Sequence, residues 1–561
     1  MVKLKFYYDF LSQPSRTLYI FMKKTNIPFE PKPVNLRQGD QLAKEFEILN
    51  PFKKVPFIDD KGLVLIESVA ILRYLCRTYN VADHWYPKDI QKQALVDQYL
   101  EWQHNNTRAH CTEYFRHKAL WPLKTGQAAN TEKVTILENR MIENLDLLEN
   151  IWLKDKPFLC GDKISVSDLV GACEVEQPRI AGFDPLVNRP NLTKWIARVQ
   201  STFSPFYEEA HQVVEQTADE YKRYVSELSK KNYQSVCDSL DQSSTDPKLH
   251  LILNNMFTKI EIISLIHSPE NWQLYCIQII NIQADTYPSS DAQMFIWHKL
   301  WSRCVFFMFQ MSVDALSKAF DSSSLNSNNM AKLTYYYNLL SQPCRALYMF
   351  FKKAEIPFEG KVVDLLKGEQ FTAEFEAINP FKKVPVINDK GFVLIESIAI
   401  LRYVCRTYNV ADHWYPKDSV KQAQVDEYLE WQHTNTRADC ALYYLHKVLW
   451  PAMYGKPVNE QRVAQLEKKM ITTLDLIENV WLKNKMFLSG NEISISDIIA
   501  ICEIEQTRMA GFNPYVNRPN LSKWKMKTAS YLSPYYEEAN EILEVQVVKY
   551  NKKYGKLNSH I

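Results

Sequence analysis

Glycine is scarce in this sequence, which has only 13 glycines in 561 residues. So low a content argues against turn-rich all-β folds and against glycine-rich nucleotide loops, and neither G-x-G-x-x-G nor G-x-x-x-x-G-K occurs. An excess of either charge is also missing, since 67 basic residues face 65 acidic ones. This balance does not favour a nucleic-acid partner or a polybasic membrane anchor. The composition predicts a mostly helical protein.

Paired cysteines and long apolar runs are absent as well. The 11 cysteines include no C-x-x-C pair, and they are too sparse for a small secreted domain held by disulfides. The first residues do not have the pattern of a secretory signal, and no charge-free stretch reaches the ~20 residues of a membrane helix. We therefore expect a soluble, cytoplasmic protein without a membrane partner.

An internal repeat organises the chain. The segment YYDFLSQPSR at residues 7–16 returns as YYNLLSQPCR at residues 336–345, which is 329 positions later. Residues 64–89 differ from their counterparts only at Val69, which corresponds to Ile398, and at Leu75, which corresponds to Val404. The repeat predicts two complete domain sets. The segment between them, residues 233–329, suggests only a short helix over 311–320, and we interpret it as a join between two adjacent copies.

Hydrophobic periodicity predicts the same elements in both copies. In the first copy we expect strands at 3–8, 30–34, 56–58 and 64–66 and helices at 13–24, 41–48 and 68–79, followed by about 130 helical residues. Ser165-x-x-Asp168 and its repeat Ser494-x-x-Asp497 predict helix capping boxes. The fold class is therefore α/β plus all-α, twice. The predicted domains are residues 1–82, 83–232, 330–411 and 412–561, with the linker at 233–329.

Three motifs lie at the junctions of these elements. Ser12 precedes the first helix, where it is either an N-cap or a hydroxyl that serves an anion such as a thiolate. Val55-Pro56 marks either a strand edge or a cis-proline that leaves backbone groups free for an extended ligand. Glu67-Ser68 is either another N-cap or a site for a ligand carboxylate and ammonium group. Spacing alone does not choose between these alternatives.

Taken together and in order, the motifs are far more specific. LSQPxR, NPFKKVP, ESxAILRY, HWYPKD and VDxYLEWQH resemble the glutathione transferases, most closely the theta class, over residues 1–220 and 330–550. The resemblance implies a thioredoxin-like N-terminal domain and an all-helical C-terminal domain in each copy. It implies glutathione as co-substrate, no bound cofactor, and pairing either as a homodimer or as an intrachain pseudo-dimer of the two copies.

The implied activity is conjugation of glutathione to small apolar electrophiles, as in detoxification. Two alternatives remain open: a weakly active binding protein that keeps the fold, and glutathione-dependent peroxide reduction. Ser12 and Ser341 match the catalytic serine that binds the glutathione sulfur. Tyr7, Tyr8, Tyr336 and Tyr337 are rivals for that role, because other classes of the superfamily use a tyrosine at the end of a strand.

The resemblance also assigns the residues that bind glutathione. Lys54, Val55 and Pro56 match contacts to the tripeptide with a cis proline, Glu67 and Ser68 match the γ-glutamyl site, and Arg108 matches an arginine that reaches the active site from the helical domain. Gln41 stands where theta enzymes often have a histidine for the glycyl carboxylate. The equivalent residues of the second copy are Gln370, Lys383, Val384, Pro385, Glu396, Ser397 and Arg437. No residue is assigned to a metal, and Cys344 and Trp121 are assigned to packing.

Overall fold

A computed structural model describes residues 4–241 and 333–554 of the chain. Each copy begins with a four-stranded sheet. The strands of the first copy are β1 Leu4–Tyr8, β2 Phe29–Pro33, β3 Phe57–Asp60 and β4 Leu63–Ile66; those of the second are β5 Leu333–Tyr337, β6 Phe358–Val362, β7 Val386–Asp389 and β8 Phe392–Ile395. The strand orders are β2-β1-β3-β4 and β6-β5-β7-β8. The first two strands of each copy pair in parallel and the remaining pairs are antiparallel.

Three helices accompany each sheet, and the rest of each copy is helical. The helices of the first copy are α1 Gln13–Lys24, α2 Lys44–Leu49, α3 Ser68–Thr78, α4 Ile90–His104, α5 Thr107–Phe115, α6 Trp121–Thr125, α7 Thr131–Leu147, α8 Val166–Val175, α9 Pro190–Phe203 and α10 Phe206–Asp241. Those of the second are α11 Gln342–Lys353, α12 Ala373–Ile378, α13 Ser397–Thr407, α14 Ser419–Trp431, α15 Thr436–Tyr444, α16 Trp450–Tyr454, α17 Glu460–Leu476, α18 Ile495–Glu505, α19 Pro519–Leu532 and α20 Tyr535–Tyr554. The predicted fold class is confirmed.

The predicted elements agree with the structure to within a few residues, with one clear difference. The helix expected at 41–48 begins only at Lys44, because Asp40–Leu42 forms a 3-10 turn and Ala43 is extended. Both capping boxes are present at Ser165 and Ser494. The helix expected at 311–320 and most of the linker lie outside the described residues, although α10 continues to Asp241.

One assignment from the sequence is wrong. Trp121 was expected to pack in the core, yet 43% of it is exposed. It begins the five-residue helix α6, and its ring contacts the imidazole of His117 on the preceding turn. By contrast, Trp102 and Trp195 are fully buried, as expected. Among the helices that the structure describes, none combines the length and the apolar character that crossing a membrane requires.

The two copies pack against each other within one compact unit, Met1–Arg223 with Met330–Ile561. Phe52 of the first copy lies against Trp431 and Trp481 of the second, with ring centroids 5.7 and 5.6 Å apart. The reciprocal contact has Phe381 against Trp102 and Trp152, at 5.5 and 5.8 Å. Aromatic contacts of this kind contribute through both buried area and ring geometry.

A buried network of charged residues also joins the copies. Arg73 binds Asp97 and Glu101 of its own copy, each at 2.9 Å, and Glu430 of the other copy. Arg402 repeats the pattern with Asp426, Glu430 and Glu101. Each of these side chains is at most 1% exposed, so the desolvation cost is offset only because every charge has a partner.

Two histidines lie at the centre of this network. The rings of His104 and His433 stack with centroids 4.5 Å apart, and each Nε2 lies 2.7 Å from a glutamate of the other copy. The ligand-type atoms of His104, Glu430 and His433 are close together, a grouping that sequence spacing did not show. Because Glu430 also binds Arg73 and Arg402, the three residues belong to the ion-pair network.

Candidate functional site

The sheet brings the three predicted motifs to one edge. Tyr7 at the end of β1 pairs with Phe57 at the start of β3, and Phe57 pairs with Ile66 at the end of β4. The loop with Ser12 follows β1, the Val55-Pro56 pair precedes β3, and Glu67-Ser68 follows β4. The second copy repeats this row with Tyr336, Val386 and Ile395. Strand register therefore places the motifs side by side.

Ser12 is the N-cap residue of α1, but its hydroxyl makes no cap hydrogen bond. Its backbone is extended, with φ −82° and ψ 116°, and its carbonyl accepts hydrogen bonds from the N–H groups of Ser15 and Arg16 at 3.0 and 3.1 Å. Ser341 has the same position and conformation in the second copy, again without a cap hydrogen bond. Both hydroxyls lie at a helix N-terminus, a place that favours negative charge. The hydroxyl of Ser341 also has a hydrogen-bond contact with the thiol of Cys344, whose counterpart in the first copy is Ser15.

Arg16 holds the loop that carries Ser12. Its guanidinium is fully buried and donates to the carbonyl of Phe10 at 2.7 Å, to the carbonyl of Cys173 at 3.2 Å and to Gln177 Oε1 at 2.6 Å. Arg345 makes the equivalent contacts in the second copy. These arginines tie the serine loop to α8 and α18. The sequence showed them only as the last letter of a motif, and no role was predicted.

The Val55-Pro56 and Val384-Pro385 peptide bonds are cis. The backbone N–H and C=O of Val55 make no hydrogen bond with the residues that the structure describes. The preceding turn is held by Asn50, which is buried and donates from Nδ2 to the carbonyl of Lys54 at 2.7 Å. Asn379 and Lys383 repeat that bond at 2.7 Å. The side chains of Lys54 and Lys383 are exposed.

Glu67 adopts an uncommon conformation for a residue with a side chain. Its φ is 62° and its ψ 110°, and Glu396 has φ 66° and ψ 112°. Left-handed residues other than glycine cost of the order of 1–3 kcal/mol and concentrate at ligand sites, so this pair supports the functional hypothesis. Ser68 and Ser397 follow at the first positions of α3 and α13 and are buried.

Gln41 and Gln370 lie in the short 3-10 turns Asp40–Leu42 and Glu369–Phe371. In both residues the amide Oε1 is buried and has no hydrogen-bond partner among the described residues. An amide without a partner costs free energy unless something binds it. A ligand group that donates a hydrogen bond to Oε1 would satisfy it, and the Nε2 hydrogens of the same amide can donate to a ligand carboxylate.

Arg108 and Arg437 lie on α5 and α15, and each is near a buried glutamate. Arg108 Nε is 3.7 Å from Glu174 Oε1, and Arg437 Nη1 is 4.0 Å from Glu503 Oε1. Burial raises the pKa of Glu174, and the charges of Arg108 and Arg16 oppose that rise. Arg437 also acts on Glu396. Burial raises the pKa of Glu396, and the charges of Arg437 and Lys383 lower it. That these arginines reach a thiolate remains a prediction.

Two of the rival residues, Tyr8 and Tyr337, have environments that suit the role less well. Burial and the charge of Glu209 raise the pKa of Tyr8, and burial and Glu538 raise that of Tyr337. A phenol that is a weaker acid is a weaker donor to a thiolate. The ring of Tyr7 stacks on Phe57 with centroids 4.1 Å apart. Cys344 is fully buried, and burial raises the pKa of its thiol to about 11, in keeping with a packing role.

Comparison with known proteins finds the same two domains in both copies. The model of the glutathione S-transferase N-terminal domain matches residues 6–77 and 331–406, and that of the C-terminal domain matches residues 113–202 and 437–530. Glutathione S-transferase theta-1 of Homo sapiens is 44% identical over 212 residues, which are 38% of this chain and 88% of that protein. Theta-3 of Mus musculus is 41% identical over the same shares of both chains.

Solved structures give matches of the same extent. The apo form of human glutathione-S-transferase T1-1 has 41% sequence identity, covers 38% of this chain and 91% of that chain, and gives a TM-score of 0.38. A human theta-class enzyme in complex with the glutathione conjugate of 1-menaphthyl sulfate has 35% identity, covers 40% and 92%, and gives 0.39. Since one relative corresponds to one copy, and both domain models match twice, the chain belongs to the glutathione S-transferase family as a tandem duplication of a theta-class unit.

Proposed function

We propose that each copy carries a glutathione transferase site, in which Ser12 or Ser341 donates a hydrogen bond to the thiolate of glutathione. The thiolate sulfur forms a bond to an electrophilic carbon of a small apolar substrate, and the leaving group departs with its electron pair. The observation that carries the proposal is the serine hydroxyl at each helix start, which makes no cap hydrogen bond in either copy. It lies at the sheet edge where the cis-proline loop and the Glu67-Ser68 junction also lie.

These groups can supply the free energy that ionisation of the glutathione thiol requires. A free thiol with a pKa near 8.5 is only about 3% ionised at pH 7. Lowering the pKa by about two units requires roughly 2.7 kcal/mol of extra stabilisation of the thiolate. A hydrogen bond to a charged group contributes about 1.5–3 kcal/mol, and a helix N-terminus adds about 0.3–1 kcal/mol. The hydrogen bond from serine and the helix N-terminus together therefore account for the required stabilisation of the thiolate.

The remaining residues have roles in holding the tripeptide. The free N–H and C=O of Val55 pair with the extended backbone of glutathione, in the manner of an added strand. Ser68 and the first N–H groups of α3 bind the γ-glutamyl carboxylate, while Glu67 binds the ammonium group. Gln41 and Lys54 bind the glycyl carboxylate. The second copy uses the equivalent residues.

We also propose that the two copies act as an intrachain pseudo-dimer in a cytoplasmic detoxification enzyme. The buried network of Arg73, Arg402 and their carboxylates supports pairing within the chain, because each arginine binds a glutamate of the other copy. Light scattering on the purified full chain tests this: the mass of one chain is expected at micromolar concentration. A mass of two chains at every concentration would favour pairing between chains.

The test of the activity uses the full chain and three variants, Ser12→Ala, Ser341→Ala and the double substitution. Calorimetric titration with reduced glutathione should show two binding sites per chain. Turnover is then measured with alkyl halides, epoxides and peroxides, and each single variant should lose about half of the conjugating activity at neutral pH. Absence of glutathione binding would favour a binding protein that keeps only the fold. Turnover of peroxides alone would favour glutathione-dependent peroxide reduction.

A further inference from the structure

Each copy contributes one side chain to the edge of the other copy's sheet. The backbone N–H of Ile66 donates to Glu427 Oε1 at 2.7 Å, and the N–H of Ile395 donates to Gln98 Oε1 at 3.1 Å. Glu427 and Gln98 occupy equivalent positions on α14 and α4. The backbone contact is therefore the same in both copies, but the side chain that makes it is a carboxylic acid at one site and a neutral amide at the other.

This contact is directly beside the proposed ammonium site. Ile66 is followed by Glu67, and the charge of Glu67 acts on Glu427. Burial raises the pKa of Glu427 to about 7, with a smaller rise from Glu67, while the N–H of Ile66 and the charge of Lys485 oppose the shift. The first site thus has two neighbouring acidic side chains, one from each copy. The second site has Glu396 with the neutral Gln98 beside it, and the charge of Glu101 of the first copy also raises the pKa of Glu396.

A second pair of equivalent positions also has an acidic residue near the first site and a residue that is not acidic near the second. Asp439 of the second copy is half-buried; burial raises its pKa, and a hydrogen bond from Thr473 and the charges of Lys469 and Lys54 lower it. The equivalent residue of the first copy is His110. Burial lowers the pKa of this imidazole, and the charges of Arg140 and Lys383 lower it further. The charge of Lys54 therefore acts on a carboxyl group of the other copy, and that of Lys383 acts on an imidazole. Both differences make the surroundings of the first site more acidic.

We propose that the two glutathione sites differ in how strongly their affinity depends on a free ammonium group. Each site is completed by a side chain of the other copy, and this side chain is Glu427 at the first site and Gln98 at the second. The proposal rests on the proposed function. The first site binds the ammonium of a γ-glutamyl peptide between Glu67 and Glu427. The second site binds it with Glu396, next to the neutral Gln98, and accepts γ-glutamyl peptides whose nitrogen is acylated with less loss of affinity.

The test compares reduced glutathione with N-acetylglutathione, which lacks the ammonium charge, by calorimetric titration of the full chain. Acetylation should weaken binding at one of the two sites about five- to thirtyfold more than at the other. Two exchange variants assign the sites, and both keep the acceptor for the backbone N–H. Glu427→Gln should make the two sites alike, each with the smaller effect, and Gln98→Glu should make them alike with the larger effect.

Each outcome bears on the proposal. Equal effects of acetylation at the two sites of the unsubstituted chain would overturn it, as would a difference that persists unchanged in Glu427→Gln. In either case glutathione still binds, so the proposed function survives. If the unsubstituted chain bound no glutathione, the proposed function would fall and this inference with it. The two failures are therefore distinguishable in one set of titrations.

Discussion

Replacing Ser12 by Ala tests the thiolate mechanism most directly. Because the hydroxyl makes no cap hydrogen bond, its loss removes a ligand contact without removing a helix cap. A hydrogen bond to a thiolate contributes about 1.5–3 kcal/mol, and one pKa unit corresponds to 1.36 kcal/mol. We expect the pKa of the bound thiol in the first copy to rise by about one to two units. From a pKa near 6.5, the thiolate fraction at pH 7 then falls from about three quarters to about a quarter or less.

The assay is ultraviolet difference absorbance of the thiolate in the glutathione complex, recorded as a function of pH. Each single variant, Ser12→Ala or Ser341→Ala, should lose about a third to a half of the signal near pH 7 and regain it at higher pH. The double variant should titrate in one alkaline step. The matched control is Ser15→Ala: Ser15 is buried one turn into α1, and its hydroxyl has no hydrogen-bond partner among the described residues. The control should leave the profile unchanged.

Two results would refute this reasoning. An unchanged profile in the double variant would transfer the role to another donor, with Tyr7 and Tyr336 next to be tested. An equal shift in Ser15→Ala would mean that the start of the helix, rather than the hydroxyl of Ser12, controls the thiol. Glutathione affinity is measured in parallel, so that loss of binding is not mistaken for loss of ionisation.

Three further predictions concern stability and reactivity. Phe52→Ala should lower the free energy of unfolding by about 2–3 kcal/mol in urea titrations, because the ring packs on two tryptophans, whereas Phe371→Ala, at a residue that is 66% exposed, should change it by less than about 0.5 kcal/mol. Burial would raise the pKa of Asp97, but the charges of Arg406 and Arg73 outweigh it and lower the pKa to about 2. The ionised carboxylate therefore stabilises the fold above pH ~4, and the free energy of unfolding from thermal melts should fall by about 2 kcal/mol between pH 4 and 2. The Asp97→Asn variant should not show this fall. Cys344 should react with iodoacetamide only after denaturation, as measured by peptide mapping, and rapid labelling of the native chain would contradict its assignment to packing.

Much of the architecture could be predicted because it is encoded locally. Helix α1 has the bounds expected from its periodicity, and the capping box at Ser165 forms between residues only three positions apart. The duplication is visible as direct similarity between residues 7–16 and 336–345. The start of α2 was missed because the 3-10 turn before it has no distinctive sequence pattern.

The roles of Arg16 and Glu427 depend on partners that lie far away in the sequence. Arg16 binds a carbonyl 157 positions along the chain, and Glu427 accepts from an N–H 361 positions away. Neither partnership has a periodicity or a spacing that a sequence can display, because both arise when separately formed elements pack.

The sequence by itself therefore determined the repeat, the order of strands and helices, and the three motifs, since hydrophobic periodicity and helix caps act between near neighbours in the chain. Tertiary structure alone decided that these motifs share one sheet edge, that a buried arginine positions each serine loop, and that each site is bordered by a side chain of the other copy. Strand register and packing between copies bring together residues whose proximity no local interaction specifies.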